Sequence, residues 1–317
     1  MKPIAFCLVL GLTTVATAAP NPDDVKSYQA LVQQDVRIAT IGYRLAAANA
    51  PFCRNQERNP GWVLQDEQQY PDPAIARTAL AFRQPVSVAG VIAGGPADEA
   101  GISAGDGLLS LNGAAWNWTA RISKAKSAKR IEDVQDQLRK ALSTAGEVEV
   151  KLDTKDGPRT FKLNPTPICA SRFWIDTKSK LDAGADGYNV RVTEALVRFA
   201  ENDDELAAAV AHELAHNLLE HRQKLKKMKK SASNIRATEI EADRLSIWLM
   251  TNAGYDSSAA LRFIERFGRA TDPVFLSDGT HLPWRGRVEI MQSEINTINQ
   301  SGKLQGLLRP PLLEAEK

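Results

Sequence analysis

The chain has 317 residues, of which 43% are hydrophobic and 25% are charged, and its formal net charge is +2. This length predicts about two domains of roughly 100–200 residues each, and the composition is sufficient to bury a core. The near-neutral charge excludes the strongly basic balance that is typical of nucleic-acid-binding proteins, so we expect no nucleic-acid partner.

The first 19 residues predict a signal peptide. Lys2 supplies a positive start, an apolar stretch runs from Ile4 to Val15, and small residues end at Ala19. The apolar stretch is too short to span a bilayer permanently, although a retained anchor is the alternative interpretation. We therefore expect residues 1–19 to be removed and the mature protein to act in the periplasm or cell envelope.

The cysteines agree with export. Cys7 would leave with the signal peptide, whereas Cys53 and Cys169 would remain. Two cysteines in an oxidising compartment can form a disulfide, and the alternative is two separate buried thiols. A Cys53–Cys169 bridge would close a loop of over 100 residues, which the chain-entropy model rates at about 4–5 kcal/mol of stability.

Residues 24–50 predict a helix, because apolar residues recur there at roughly helical spacing. Asp23 or Asp24 can cap its start, and Pro51 ends it. Residues 54–73 are rich in Asn, Gln, Pro and Gly and predict an irregular connection.

Strand patterns dominate the next part of the chain. The sequence VSVAGVI at residues 86–92 alternates like a strand, and the run GGPADEAGISAGDGLLSLNG at 94–113 contains a short helix, a tight turn and another strand. Residues 131–142 predict an amphipathic helix, and the stretches 148–152 and 160–163 predict a hairpin.

This run resembles a PDZ domain of the kind found in bacterial envelope proteases. The segment 114–130 departs from that pattern, because it lengthens the usual connection. The resemblance implies a β-rich domain at residues 81–166 that captures an extended polypeptide at a sheet edge. Alternatively, such a domain only braces its neighbour or blocks a cleft.

After Cys169, strands are predicted at 172–176 and 188–193, followed by a helix that Asp203 or Asp204 caps and that runs to about His221. Within this helix lies the sequence HELAH at residues 212–216.

Its two histidines are four residues apart, so both imidazoles lie on one helix face and can bind one metal ion. Neutral imidazole nitrogens suit Zn²⁺. Glu213 can take a proton from the attacking water and pass it to the leaving amine. The alternative for so short a motif is a surface helix with two histidines, but the apolar residues around His212 and His216 favour a buried site.

A third ligand is predicted in the sequence EIEAD at residues 239–243, on a helix from about 233 to 252. Glu239 and Asp243 share one helix face, whereas Glu241 lies about 200° round from Glu239. We assign Glu239 to zinc, with Glu241 as the alternative ligand. Asp243 would orient a ligating histidine, or else form an ordinary helix salt bridge.

The longer metzincin pattern is excluded, since Leu219 and Arg222 occupy the places where it needs glycine and histidine. His221 is one place off that pattern, so we interpret it as structural or as a residue that supports a ligand.

These motifs together resemble the metallopeptidase family that contains HtpX, BepA and the CAAX prenyl endopeptidase. Two further stretches match it: NDDEL at residues 202–206, and THLP at 280–283 followed by Arg287, although Leu282 interrupts the expected His-Pro pair. The resemblance covers roughly residues 24–50 and 168–295.

The resemblance implies an α+β protein. Its mainly helical, gluzincin-like zinc peptidase domain with a small edge sheet would comprise residues 20–80 and 167–317, and the PDZ-like domain would be inserted between the two parts. Cys53 and Cys169 flank that insertion and would pin its ends together.

The resemblance also implies roles for later residues. His281 and Arg287 would lie near the zinc, where His281 would stabilise the oxyanion or occupy the open zinc position. The alternative for His281 is a structural loop histidine. The strand at 187–193 resembles the family's edge strand, which would pair with an extended substrate.

The segment Arg222–Lys230 carries six basic residues in nine and joins the two metal-bearing helices. We interpret it as a solvated, mobile loop, and the alternative is contact with anionic lipid headgroups or a gate over the cleft.

The sequence as a whole predicts a zinc-dependent endopeptidase with one zinc ion per chain, which acts on polypeptides of the cell envelope in protein quality control. The alternative is a zinc-stabilised periplasmic binding or chaperone protein with latent peptidase activity.

Overall fold

The computed structural model describes residues 21–118, 124–144, 146–228, 231–271, 282–301 and 306–313. The chain is a mixture of helix and sheet, which confirms the α+β prediction at that level. Within these ranges, none of the helices has the length and apolarity that a bilayer span requires. The predicted signal peptide and His281 lie outside the described residues.

The chain opens with helix α1 and strand β1, which are Pro22–Ala48 and Gln56–Asn59. A β-rich unit follows, with elements β2 Trp62–Asp66, α2 Pro73–Ala79, β3 Val86–Val91, α3 Pro96–Glu99, β4 Gly107–Leu111, β5 Ala114–Ala115, α4 Lys124–Thr144, β6 Val148–Thr154 and β7 Gly157–Leu163. The remaining elements are β8 Thr166–Cys169, β9 Arg172–Asp176, β10 Ala183–Ala185, β11 Asn189–Thr193, α5 Glu194–Phe199, α6 Asp203–Leu218, α7 His221–Lys227, α8 Ala232–Asn252, α9 Ala259–Thr271 and α10 Trp284–Gln300.

Helix α1 has nearly the predicted bounds but a different cap. The side chain of Asn21 accepts a hydrogen bond from the Asp23 backbone N–H at 3.1 Å, so Asn21 is the N-cap. Asp23 and Asp24 lie in the first turn instead, where their negative charge is favourable to the helix dipole. One face of α1 is buried and supplies Ile38, Ile41 and Leu45 to the main core of the protein.

The prediction of an irregular connection at residues 54–73 is wrong, because β1 and β2 both lie there. Strand β1 pairs antiparallel with β8, and β2 pairs antiparallel with β3. A turn at Gly61, whose φ of +77° suits glycine, separates the two strands. Composition alone did not indicate these strands, because their partners are distant in the sequence.

Strand β2 is the edge of a sheet whose strand order is β2-β3-β4-β6-β7, with β5 paired to β4. The predicted start of the β-rich domain at residue 81 is therefore too late, since this sheet already begins at Trp62. Helix α4 covers the sheet, and Ile131, Val134 and Leu138 belong to the same buried cluster as the strands.

The chain enters and leaves the β-rich unit through the antiparallel pair β1–β8, in which Gln56 is opposite Cys169. A disulfide joins Cys53 to Cys169 at the base of this pair, with the two Cα atoms 5.5 Å apart. The two crossings of the chain are thus fixed to each other both by main-chain pairing and covalently.

The main core lies around α6 and α8, which pack against each other and against α1, α9 and α10. A three-stranded sheet with the order β10-β11-β9 borders α6. Strand β11 is paired on both sides, parallel with β9 and antiparallel with β10. The interpretation of residues 187–193 as an edge strand is therefore wrong, and β10 is the edge strand beside α6.

The connection between α6 and α8 is also different from the prediction. Helix α6 ends at Leu218, Glu220 takes a left-handed conformation with φ of +53°, and α7 begins at His221. The basic segment is thus helical from His221 to Lys227 and is not the predicted loop over those residues. Its predicted contact with anionic lipid stays a prediction.

Candidate metal centre

Helix α6 begins with a side-chain cap that differs from the predicted one. The side chain of Asn202 accepts a hydrogen bond from the Glu205 backbone N–H at 3.0 Å, so Asn202, and not Asp203 or Asp204, caps the helix. The body of α6 is packed almost wholly in the core. Its buried apolar residues are Leu206, Ala207, Ala208, Ala209, Val210, Ala211, Leu214 and Ala215. This burial fixes the helix and directs its histidines towards α8.

His212, His216 and Glu239 bring three donor groups together. The two Nε2 atoms are 3.2 Å apart, and the carboxylate oxygens of Glu239 lie 3.4 Å from His212 Nε2 and 3.5 Å from His216 Nε2. Ligands at about 2.0–2.1 Å from a tetrahedral zinc ion would be separated by about 3.3–3.4 Å. The spacing and the donor types therefore fit one zinc ion, and these three residues form the group among the described residues that could hold a metal ion.

Asp243 supports this group from behind. Its Oδ1 lies 3.0 Å from Nδ1 of His212, although the ring N–H is not well aligned for a hydrogen bond. Arg287, in the first turn of α10, donates two hydrogen bonds to the same carboxylate, at 2.6 and 2.7 Å. Burial raises the pKa of Asp243, but the charge and hydrogen bonds of Arg287 outweigh it and hold that pKa below its usual value. The carboxylate therefore stays ionised beside His212.

A second chain of contacts leads away from His216. Its Nδ1 lies 2.9 Å from Nδ1 of His221, and Nε2 of His221 lies 2.9 Å from a carboxylate oxygen of Glu241. Glu241 thus contacts His221 and is not part of the donor group, so the alternative of Glu241 as a ligand is not supported. The spacing of His221 in the sequence did not indicate this contact, because helix α6 has already ended before it.

Burial and neighbouring charges shift the pKa values of the titratable groups in the site. Burial raises the pKa of Glu213 to about 7, with the charge of His212 acting in the opposite direction. Burial lowers the pKa of His216 to about 3 and that of His221 to about 4. Burial also lowers the pKa of His212, but in the absence of a metal ion the carboxylates of Asp243 and Glu239 outweigh burial and raise that pKa to about 10. Because zinc binds deprotonated imidazole, metal binding releases any proton held there.

Glu213 lies close enough to His212 and Glu239 to interact with both of them electrostatically. It follows His212 on α6, is not one of the three donors, and interacts electrostatically with Asp182, next to β10. A base whose pKa lies near neutral pH combines the ionised form with useful proton affinity. The predicted role of His281 stays a prediction, since His281 lies outside the described residues.

The family model for Peptidase family M48 matches residues 170–235. The matched range contains β9, α6 and α7, and it ends before Glu239. No curated protein matches the chain. The match indicates a metalloendopeptidase, which confirms the prediction of a hydrolase that acts on peptide bonds.

Proposed function

We propose that the protein is a zinc-dependent endopeptidase that holds one zinc ion on His212, His216 and Glu239 and cleaves polypeptides of the cell envelope. The observation that carries this proposal is the separation of the three donor groups by 3.2–3.5 Å, which fits tetrahedral zinc. The match to Peptidase family M48 includes helix α6, which carries His212 and His216, and supports the proposal independently.

Zinc, when bound, supplies a Lewis acid that polarises the scissile carbonyl and lowers the pKa of water. Glu213 takes the proton from the attacking water and returns it to the leaving amine. Asp243 and Arg287 hold His212 in place from behind the site. By the family resemblance, His281 would stabilise the oxyanion that forms on the carbonyl oxygen.

Strand β10 is the surface on which we expect an extended substrate to pair. It borders α6, and among the described residues only β11 pairs with it. Thr193 N donates to Asp182 O at 3.0 Å, and Asp186 N donates to Asn189 O at 3.1 Å. Hydrogen-bonded and non-hydrogen-bonded residue pairs alternate along antiparallel strands. Because the pairs at both ends of β10 are hydrogen-bonded, the pairs that Ala183 and Ala185 form with β11 are non-hydrogen-bonded.

In this alternation the backbone N–H and C=O groups of Ala183 and Ala185 point away from β11, towards the outer edge. A substrate strand can take up these groups without any change in the sheet.

Replacement of Ala185→Pro should therefore lower kcat/KM for an unfolded polypeptide by roughly 2–12-fold, the effect of losing one main-chain hydrogen bond of about 0.5–1.5 kcal/mol. Proline removes the outward N–H but leaves the bonds to β11 in place. The matched variant Ala185→Ser retains the N–H and should cleave at the wild-type rate. Equal kcat/KM for the proline and serine variants would show that substrate does not pair with β10.

The β-rich unit suits polypeptide capture in quality control. Its resemblance to PDZ domains and its edge strand β2 support this role, because such domains add an extended segment to a sheet edge. The predicted signal peptide and the Cys53–Cys169 disulfide support an envelope location.

Chelation distinguishes this function from a binding or chaperone function. The purified protein would be treated with a zinc chelator, and casein cleavage and suppression of aggregation of an unfolded protein would be measured together. We expect cleavage that disappears with chelator and returns with zinc. Absence of cleavage before chelation, with aggregation suppressed equally before and after it, would refute the enzyme and favour the chaperone.

A further inference from the structure

His221 is a buried histidine that the proposed reaction does not use. It is 1% exposed and lies directly behind His216, on the side away from Glu239 and His212. The left-handed conformation of Glu220 reverses the chain after α6 and starts α7 at His221, which places the ring against His216. A polar ring at such a position needs partners for both of its nitrogens.

The contacts of His221 allow one consistent placement of hydrogens. His216 directs Nε2 towards the donor group, so its Nδ1 carries the hydrogen when Nε2 binds a metal. Nδ1 of His221, at 2.9 Å, must then accept that hydrogen. The hydrogen of His221 therefore lies on Nε2, where it is donated to Glu241 at 2.9 Å.

The two histidines of the donor group are thus supported differently. The Nδ1 atom of His212 is 3.0 Å from Asp243, which is itself fixed by Arg287. The Nδ1 atom of His216 reaches a carboxylate only through His221, at the half-exposed Glu241. Partners of this kind fix the tautomer and the ring orientation of metal-binding histidines.

We propose that His221 and Glu241 are positioning residues that hold His216 in its metal-binding tautomer and orientation. This inference rests on the proposed function, since it assigns a role towards the same zinc ion. Its consequence is that zinc affinity depends on the hydrogen-bonding pattern of residue 221, and not only on the volume of its side chain.

The test compares His221→Leu with His221→Gln in zinc affinity, measured by competition with a chromophoric chelator. Glutamine can accept a hydrogen bond from His216 through its oxygen and donate one to Glu241 through its nitrogen, whereas leucine can do neither. We expect His221→Leu to weaken zinc binding by about 10–100-fold and His221→Gln to stay within a few-fold of wild type. The matched control is Gln223→Leu, at an exposed position on the same helix.

Glu241→Ala keeps the test informative if a substitution at residue 221 prevents folding, since Glu241 is half-exposed. We expect it to weaken zinc binding with an unchanged circular dichroism spectrum. Wild-type affinity in both His221→Leu and Glu241→Ala would overturn the inference, as would equal losses in folded His221→Leu and His221→Gln. Absence of zinc binding by the wild-type protein would instead refute the proposed function.

Discussion

Replacement of Glu213→Gln should slow the cleavage of an unfolded polypeptide by about 10²–10⁴-fold, the range typical of losing a general base. Glutamine has nearly the shape of glutamate but cannot take a proton from water at neutral pH. Because Glu213 is not one of the three donors, the variant should retain the wild-type zinc content. The measurement is turnover of casein alongside metal analysis of the same preparation.

The control for this variant is Glu265→Gln on α9, where the half-exposed Glu265 pairs with Arg269. It makes the same chemical change outside the candidate metal centre and should leave turnover unaltered. Undiminished turnover in Glu213→Gln would contradict the mechanism. Loss of zinc from that variant would instead contradict the assignment of the three ligands.

Replacement of Asp243→Ala should have the largest effect on stability, about 3–5 kcal/mol in the free energy of unfolding, because it leaves the largely buried cation of Arg287 without its carboxylate partner. It should also weaken zinc binding by about 10–100-fold, since His212 loses the carboxylate at its Nδ1 atom. Urea unfolding of the metal-free protein and chelator competition measure the two effects separately.

Two further variants separate the effect of Asp243 on stability from its effect on zinc affinity. Asp133→Ala removes an exposed partner of Lys129 and should leave the free energy of unfolding near the wild-type value, because water screens exposed ion pairs. The double variant Asp243→Leu/Arg287→Met removes both buried charges and should recover much of the stability, but not the zinc affinity. If the double variant regained zinc affinity as well, Asp243 would act through the fold alone and not through His212.

The core of the candidate site was predictable because it depends on local geometry. Residues four apart lie on one face of a helix, so the spacing of His212 and His216, and of Glu239 and Asp243, determined which side chains could act together. The long apolar runs around them indicated buried helices. The bounds of α6 and α8 therefore agree with the prediction to within a few residues.

The contacts that support the site were harder to predict from the sequence, because they depend on breaks in helical periodicity. The reversal at Glu220, with φ of +53°, brings His221 back to His216, and no helical pattern extends across such a break. The strands were also hard to predict, because their pairing partners are distant in the sequence. Strand β1 forms with β8 over a hundred residues later, and β11 becomes central only because β9 and β10 both pair with it.

The most direct test of the zinc peptidase is a titration of the metal-free protein with zinc, in which cleavage of an unfolded polypeptide is followed against the amount of zinc added. We expect activity to rise from zero in proportion to zinc and to level off at one equivalent per chain, and Glu239→Gln to need far more zinc for the same signal. Full cleavage by the metal-free protein, or none at one equivalent of zinc, would contradict the account.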